Sequence, residues 1–271
     1  MYIGIDIGGT KTLVASFDND GIMVEKQQFP TVKDPEELIE KIHQVALGVS
    51  DYTDVESLGV AVAGYVNNGL VTNKNTLMWD KVPIQSMLED KLKKPVVISN
   101  DASSGALYEA RMGAGVNNNK VMYISLGTGV GGGIIINKEI VEEFDNSEIG
   151  YIIINYNSSN YHNMESLVSG PAFEKRFNIP ASMTTDKDVW DKYAKDLAVG
   201  VFNVINTTIP DVVVIGGGMA NHYDLFEKPL VKYLDILDTK LFSLPEIKKA
   251  SEPDMAVIYG CAIIAQRTGL N

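Results

Sequence analysis

The sequence predicts an α/β protein made of two similar lobes. Short apolar runs of strand type alternate with segments of helical periodicity. Each half of the chain opens with a β-meander whose first turn is rich in glycine, a weak internal repeat. With 271 residues, 45% of them hydrophobic, the chain has material for one large core or two small ones.

Residues 2–7 alternate around small side chains and read as a buried strand, and Gly8-Gly9-Thr10 makes a tight turn after it. Residues 12–18 form the second strand, Asn19-Asp20-Gly21 a hairpin turn, and residues 21–29 the third strand. Asp34-Pro35-Glu36-Glu37 supplies an N-cap, a proline at the first helical position and an acidic first turn. Leu38, Ile39, Ile42, Val45 and Ala46 then follow at helical spacing. Residues 57–63 read as a strand, 66–70 as a turn, 83–93 as a helix, and 95–99 as a strand running into Asn100-Asp101. The helix after Asp101 carries a stripe of Ala102, Ala106, Ala110 and Ala114. The stripe either admits a second helix at close range or reflects alanine's helix propensity.

The second half restarts with a strand at 121–125, a glycine turn at 127–133 and a strand at 134–137. Residues 164–177 and 187–209 read as helices, 212–215 as a short parallel-type strand and 259–267 as a terminal helix. Asn117-Asn118-Asn119 is a candidate boundary, and residues 155–163 a long polar loop on the substrate side. The lobes are expected at 1–113 with 259–271, and at 114–258.

Charge and composition exclude several classes. The balance of 23 Lys and Arg against 35 Asp and Glu gives a net charge of −12. That disfavours general contact with nucleic-acid phosphates or anionic membranes. Cys261 is the one cysteine, so neither an internal disulfide nor a multi-cysteine metal site can form, and its apolar neighbours point to a buried, inert thiol. With no bilayer-length apolar run and no signal-peptide pattern, a cytoplasmic location is expected.

Five constellations carry chemistry. In Asp6-Ile7-Gly8-Gly9-Thr10-Lys11, glycines after a buried strand bring backbone N–H groups to an anion, Thr10 and Lys11 add a hydroxyl and a positive charge, and Asp6 is placed to hold Mg²⁺ through water. It is neither a Walker A loop nor a Rossmann loop, because the spacing differs and a strand follows. A plain hairpin turn is the alternative. In Gly127-Thr128-Gly129-Val130-Gly131-Gly132-Gly133, five glycines in seven positions cost ~1 kcal/mol each against alanine, and close passage of a phosphate would repay that. Gly216-Gly217-Gly218 ends a buried strand, where a nucleotide base can lie on backbone or where the chain simply turns into a helix. Asp101 either caps its helix or serves as a general base. Glu148, in Glu148-Ile149-Gly150-Tyr151, and Glu165 flank the polar loop, as carboxylates that accept sugar hydroxyls or as surface acids. Trp79 reads as core rather than as a stacking platform, and His43 and His222 are assigned no role.

In this order the segments resemble the ROK family (repressor, open reading frame, kinase), with Ser99-Asn100-Asp101-Ala102, Glu165-Ser166-Leu167-Val168-Ser169-Gly170 and Ile215-Gly216-Gly217-Gly218 completing the pattern. The resemblance implies a two-lobed actin-like ATPase (ribonuclease H-like) fold with its active site in the cleft between lobes. It implies a glucokinase-like transfer of the γ-phosphate of ATP to a hexose or N-acyl amino sugar, and a homodimer. Asp101 falls on the family's catalytic base. Gly64, Asn100, Glu148, Tyr151 and Glu165 fall on its sugar site. Gly8, Gly9, Thr10 and Lys11 fall on the first phosphate loop, Gly127, Thr128 and Gly129 on the second, and Gly217 and Gly218 on the adenosine turn. ATP and Mg²⁺ are the implied cofactors. The sequence departs from the family at Tyr151, where many members have a zinc- and sugar-binding histidine, and in residues 152–164, which lack the family's cysteines. No structural zinc is therefore expected. Two other readings share these residues. One is a sugar-binding protein that has lost transfer. The other is a sugar-responsive transcriptional regulator, which would need a DNA-reading domain ahead of Asp6.

Overall fold

The structure, a computed structural model, describes residues 1–157 and 160–268. The chain divides into two compact units, Met1–Tyr108 with Met255–Asn271, and Glu109–Asp254.

The first unit opens with β1 (Tyr2–Ile7), β2 (Lys11–Phe17) and β3 (Met23–Pro30), followed by α1 (Pro35–Val49). The Asp34 side chain caps α1 by accepting from the Glu37 N–H, and Pro35 starts the first turn. Next come β4 (Ser57–Val62), β5 (Tyr65–Asn67), β6 (Leu70–Asn73), β7 (Trp79–Val82), α2 (Ile84–Leu92), β8 (Val96–Asn100) and α3 (Asp101–Arg111). The main sheet runs β3-β2-β1-β4-β8. Its first three strands are antiparallel, and β1, β4 and β8 are parallel, so all three end on one edge. Ile3, Ile5, Ile7, Val60 and Val62 form the core with Leu38 and Ile42 of α1. Trp79 belongs to this core, its indole N–H donating to the Lys33 carbonyl.

The second unit contains β9 (Lys120–Leu126), β10 (Val130–Ile136), β11 (Glu139–Ile140), β12 (Ile153–Asn157), β13 (Asn160–Asn163), α4 (Glu165–Val168), α5 (Gly170–Phe177), α6 (Lys187–Thr208), β14 (Val212–Gly216), α7 (Tyr223–Leu237) and β15 (Glu246–Lys249). Its main sheet runs β11-β10-β9-β14-β15, with the same sequence of antiparallel and parallel pairs as the first. Trp190, Tyr193 and Leu197 of α6 and Phe226 of α7 pack against Met122, Ile124 and Ile215 of that sheet. The repeat expected from two glycine-turned meanders is thus a repeat of strand order. The last helix, α8 (Ala256–Thr268), returns to the first unit. There Ile258 and Ala262 pack on Ala15 and Phe17. Cys261 is buried, and its thiol donates to the Ile5 carbonyl.

Five readings need correction. Residues 66–70 are more than a turn: β5, β6 and β7 form a small antiparallel sheet. Gly131, Gly132 and Gly133 lie inside β10, so the second glycine turn shrinks to residues 127–129. A Cβ on Gly132 would meet the side chains of Ile149 and Met122, so packing accounts for this glycine. Residues 155–163 pair as the β12–β13 hairpin, with residues 158 and 159 outside the described residues. Residues 164–177 split at Ser169, whose extended backbone interrupts the helix and whose hydroxyl caps α5. Ala114 lies beyond α3, so the alanine stripe ends at Ala110. The tight approach to this helix comes instead at Ser104, where Gly260 of α8 has no room for a Cβ beside the Ser104 carbonyl. Residues 269–271 of the expected first lobe lie outside the described residues.

Candidate active site

In the first unit, β1 ends on Asp6-Ile7 and β8 ends on Asn100, one residue before Asp101. The shared sheet edge brings two carboxylates into one half-buried place. Burial pushes Asp101 up to about 6, partly opposed by the Ala102 N–H it accepts at 2.9 Å. Burial, and then the Asp101 charge, push Asp6 up to about 7, with Lys11 pulling the other way. The capping question at Asp101 has a clear answer. Asn100 caps α3, its Oδ1 accepting from Ala102 and Ser103 N–H at 2.9 and 3.2 Å. The acid next door accepts from the Ala102 N–H and from its own backbone N–H.

Asn100 uses its other end as well, Nδ2 donating to the Gly64 carbonyl at 2.9 Å. Gly64 has φ +121°, and a Cβ there would press on the Thr72 carbonyl and on Asn73. This is backbone that only glycine adopts freely. The first glycine turn is braced by Thr31, whose N–H donates to the Thr10 carbonyl and whose hydroxyl donates to that of Gly8. Gly8 closes the turn by donating to the Lys11 carbonyl at 3.1 Å, while Thr10 and Lys11 stay exposed. The Thr76 side chain fills the space that a Cβ on Gly9 would need.

In the second unit, the predicted residues gather around the start of β10. Glu165 Oε2 accepts from the Val130 N–H at 3.0 Å and lies against Gly129. The Val130 carbonyl lies against Gly150, so Glu148-Ile149-Gly150 is held to the same strand as Glu165. Glu148 and Tyr151 bracket a short 3-10 turn and are exposed. The second turn closes through Gly127 N–H to the Gly129 carbonyl at 2.9 Å, and Gly170 donates to the Gly127 carbonyl. Nothing stands within 4 Å of a Cβ built on Gly127 or Gly218, so both turns face open space. Gly217, at φ +77°, lies flat on Leu126 backbone, which places the third glycine turn directly beside the second. Thr128 lies at the tip of the second turn, between its two closing glycines.

Sequence reasoning missed Asn73, Thr76 and Thr31. Asn73 carried a usable signal, because asparagine followed by polar residues marks a side chain that accepts from its own downstream N–H groups. Thr31 and Thr76 carried none, since the glycine turn they lie against, at Gly8 and Gly9, is far off in the chain. Among the described residues, no three His, Cys, Asp or Glu side chains gather into a metal site. No described helix is long and apolar enough to cross a membrane.

A model of the ROK family matches residues 2–268. The chain is 27% identical to N-acetyl-D-glucosamine kinase of Haemophilus influenzae, over 97% of this chain and 99% of that protein. It is 26% identical to fructokinase of Streptococcus mutans, over 92% and 89% respectively. In structure it is similar to a ROK family glucokinase from Streptomyces griseus solved with glucose and AMPPNP. The TM-score is 0.85 at 25% identity, covering 98% of this chain and 99% of that one.

Proposed function

Because the chain belongs to the ROK family and has the actin-like ATPase fold of its structural relatives, we propose that it is an ATP-dependent sugar kinase with Asp101 as general base. The acceptor is a hydroxyl of a hexose or N-acyl amino sugar. The observation that carries this reading is the Asp6–Asp101 pair, held on one sheet edge with both carboxylates shifted upward. A base that titrates near 6 is mostly ionised at neutral pH and still takes a proton readily. Fixing the helix cap on Asn100 leaves the Asp101 carboxylate for that task.

Asp6 takes the second role. Two half-buried carboxylates, the charge of Asp101 raising the proton affinity of Asp6, also suit a divalent cation. With only two acids present, such an ion would complete its shell with water and phosphate oxygens, as Mg²⁺ prefers. Bound there, Mg²⁺ would neutralise the charge of the transferring phosphate. Gly8, Gly9, Thr10 and Lys11 offer N–H groups, a hydroxyl and a cation to phosphates. Gly127, Thr128 and Gly129 do the same from the second turn, and Gly217 and Gly218 offer a flat backbone surface to adenosine. Glu165, tied by one oxygen to Val130, keeps an acceptor for a sugar hydroxyl, and Glu148 and Tyr151 stand on the adjoining segment. A glucokinase, a fructokinase and an N-acetyl-D-glucosamine kinase among the relatives support the acceptor class.

The test is direct. Purified protein is given ATP, Mg²⁺ and a panel of hexoses and N-acetylhexosamines, and ADP release is measured. We expect sugar-dependent release with at least one acceptor, and Asp101→Asn to lower kcat about 10²–10⁴-fold with the KM for ATP within about twofold. Sugar-independent release only, or full turnover in Asp101→Asn, would refute the reading.

A further inference from the structure

The last residue of β6, Asn73, carries an amide whose two ends are bonded to two loops of the proposed site. Asn73 Oδ1 accepts from the N–H groups of Asn75, Thr76 and Leu77 at 3.2, 2.9 and 3.2 Å, and from the Thr76 hydroxyl at 3.1 Å. Its Nδ2 donates to the Ala63 carbonyl at 3.0 Å. One end of a single amide therefore shapes the 73–77 turn, and the other end grips the segment leading into Gly64.

Each of those segments touches a different part of the site. Ala63 N–H donates to the Ile7 carbonyl, at the end of the strand that carries Asp6. The Gly64 carbonyl accepts from Asn100, the residue that caps α3 ahead of Asp101. Two asparagine amides thus take two successive carbonyls, at residues 63 and 64. On the other side of Asn73, Thr76 is fixed by two bonds to Asn73 Oδ1 and packs against Gly9 of the first phosphate turn. No apolar side chain could replace this amide, because the four accepted bonds and the donated one come from opposite ends of it.

We propose that Asn73 is a positioning residue that sets the acceptor loop at Ala63–Gly64 and the phosphate turn at Gly8–Thr10 in a fixed relation, although it touches neither substrate. The inference rests on the kinase reading for its kinetic consequence, but not for its structural one. Its two halves separate chemically. Asn73→Asp keeps an oxygen for the four donors of the 73–77 turn and removes only the donor to Ala63, placing a carboxylate oxygen against that carbonyl.

Asn73→Asp and wild type are compared by steady-state kinetics and by amide hydrogen exchange. We expect Asn73→Asp to raise the KM for the sugar about tenfold, with the KM for ATP within about twofold and a melting temperature close to wild type. We expect the Ala63 amide to exchange at least tenfold faster, with Thr76 and Leu77 amides unchanged. Asn73→Ala, which loses both halves, should raise both KM values. An unchanged sugar KM in Asn73→Asp, or equal rises in both KM values, overturns the proposal. If wild type phosphorylates no sugar, the kinase reading falls, and the exchange result alone decides. Faster exchange at Ala63 then upholds the coupling, and unchanged protection there ends it.

Discussion

At the residue scale, the division of labour between Asn100 and Asp101 decides what the site can do. Adjacent side chains at a strand-to-helix junction compete for the same orphan N–H groups. Here the neutral amide accepts from two of them, and the acid shares the Ala102 N–H and holds a half-buried position. The consequence is a carboxylate whose folded-state value, about 6, lies above its ordinary 3.8. Two predictions follow from the sign of that shift. First, kcat/KM should fall as pH drops through about 6, because only the ionised form accepts a proton, and a profile flat from pH 5 to 8 would remove Asp101 as the base. Second, the fold prefers the protonated acid, so its stabilising effect is complete below pH ~4 and is lost as pH rises through about 6. Asp101→Asn removes that penalty while keeping an oxygen for the Ala102 N–H. Thermal melts should show the variant above wild type at pH 8 and level with it at pH 4, a gain in stability alongside a loss of turnover.

At the element scale, the sequence and the structure part company where polar letters hide strands. Residues 66–70 read as a turn, with Asn67-Asn68-Gly69 in their middle, yet Asn68-Gly69 is the two-residue connection of a tight hairpin. Asn68 and Gly69 adopt φ of +49° and +76°, the pair of positive values a two-residue hairpin needs. The same misreading, inverted, affects β10. Its glycines look like loop, but Gly132 is small so that Ile149 and Met122 can close over it. Gly132→Val should therefore destabilise the protein by about 1–3 kcal/mol through overpacking, read as a lower midpoint in urea. A neutral effect would mean that Ile149 can move aside. Asp34-Pro35 was legible because capping is local chemistry, whereas Lys138 was not, because its partners come from a distant turn. At the β10–β11 hairpin its ammonium donates to the carbonyls of Ala110, Gly115, Val116 and Asn118. Removal from water lowers its pKa, and those four carbonyls replace the lost hydration. Lys138→Met should take a donor from each of them and cost about 1–3 kcal/mol, measured as a drop in melting temperature. No drop would show that water serves the carbonyls equally well.

For the whole molecule, the legible feature was the repetition of pattern; the pairing of residues 259–271 with 1–113, expected above, has no local periodicity behind it. Two sheets with one strand order follow from two meanders, each succeeded by helices and parallel strands, and sequence periodicity reports that directly. Nothing local in residues 256–268 says where they pack. The contacts answer it. Ile258 and Ala262 cover Ala15 and Phe17, the Cys261 thiol donates to the Ile5 carbonyl, Ser57 Oγ donates to the Ala265 carbonyl, and Tyr259 stacks on Tyr108 at 5.0 Å. The first unit is therefore discontinuous and depends on the end of the chain, whereas the second is one uninterrupted segment of ordinary domain length with its own core. Within that segment the buried Glu109 ties both of its ends together, its carboxylate accepting from Ala114, Ser251 and Glu252 N–H. A chain ending at residue 254 should thus lose the first unit, whose sheet is stripped of α8, and keep the second. Limited proteolysis of that truncation should leave a resistant fragment beginning near residue 109, and residues 109–254 expressed alone should melt in one cooperative transition. Complete digestion, or a non-cooperative melt of the isolated segment, would show that the second core is not sufficient without the first.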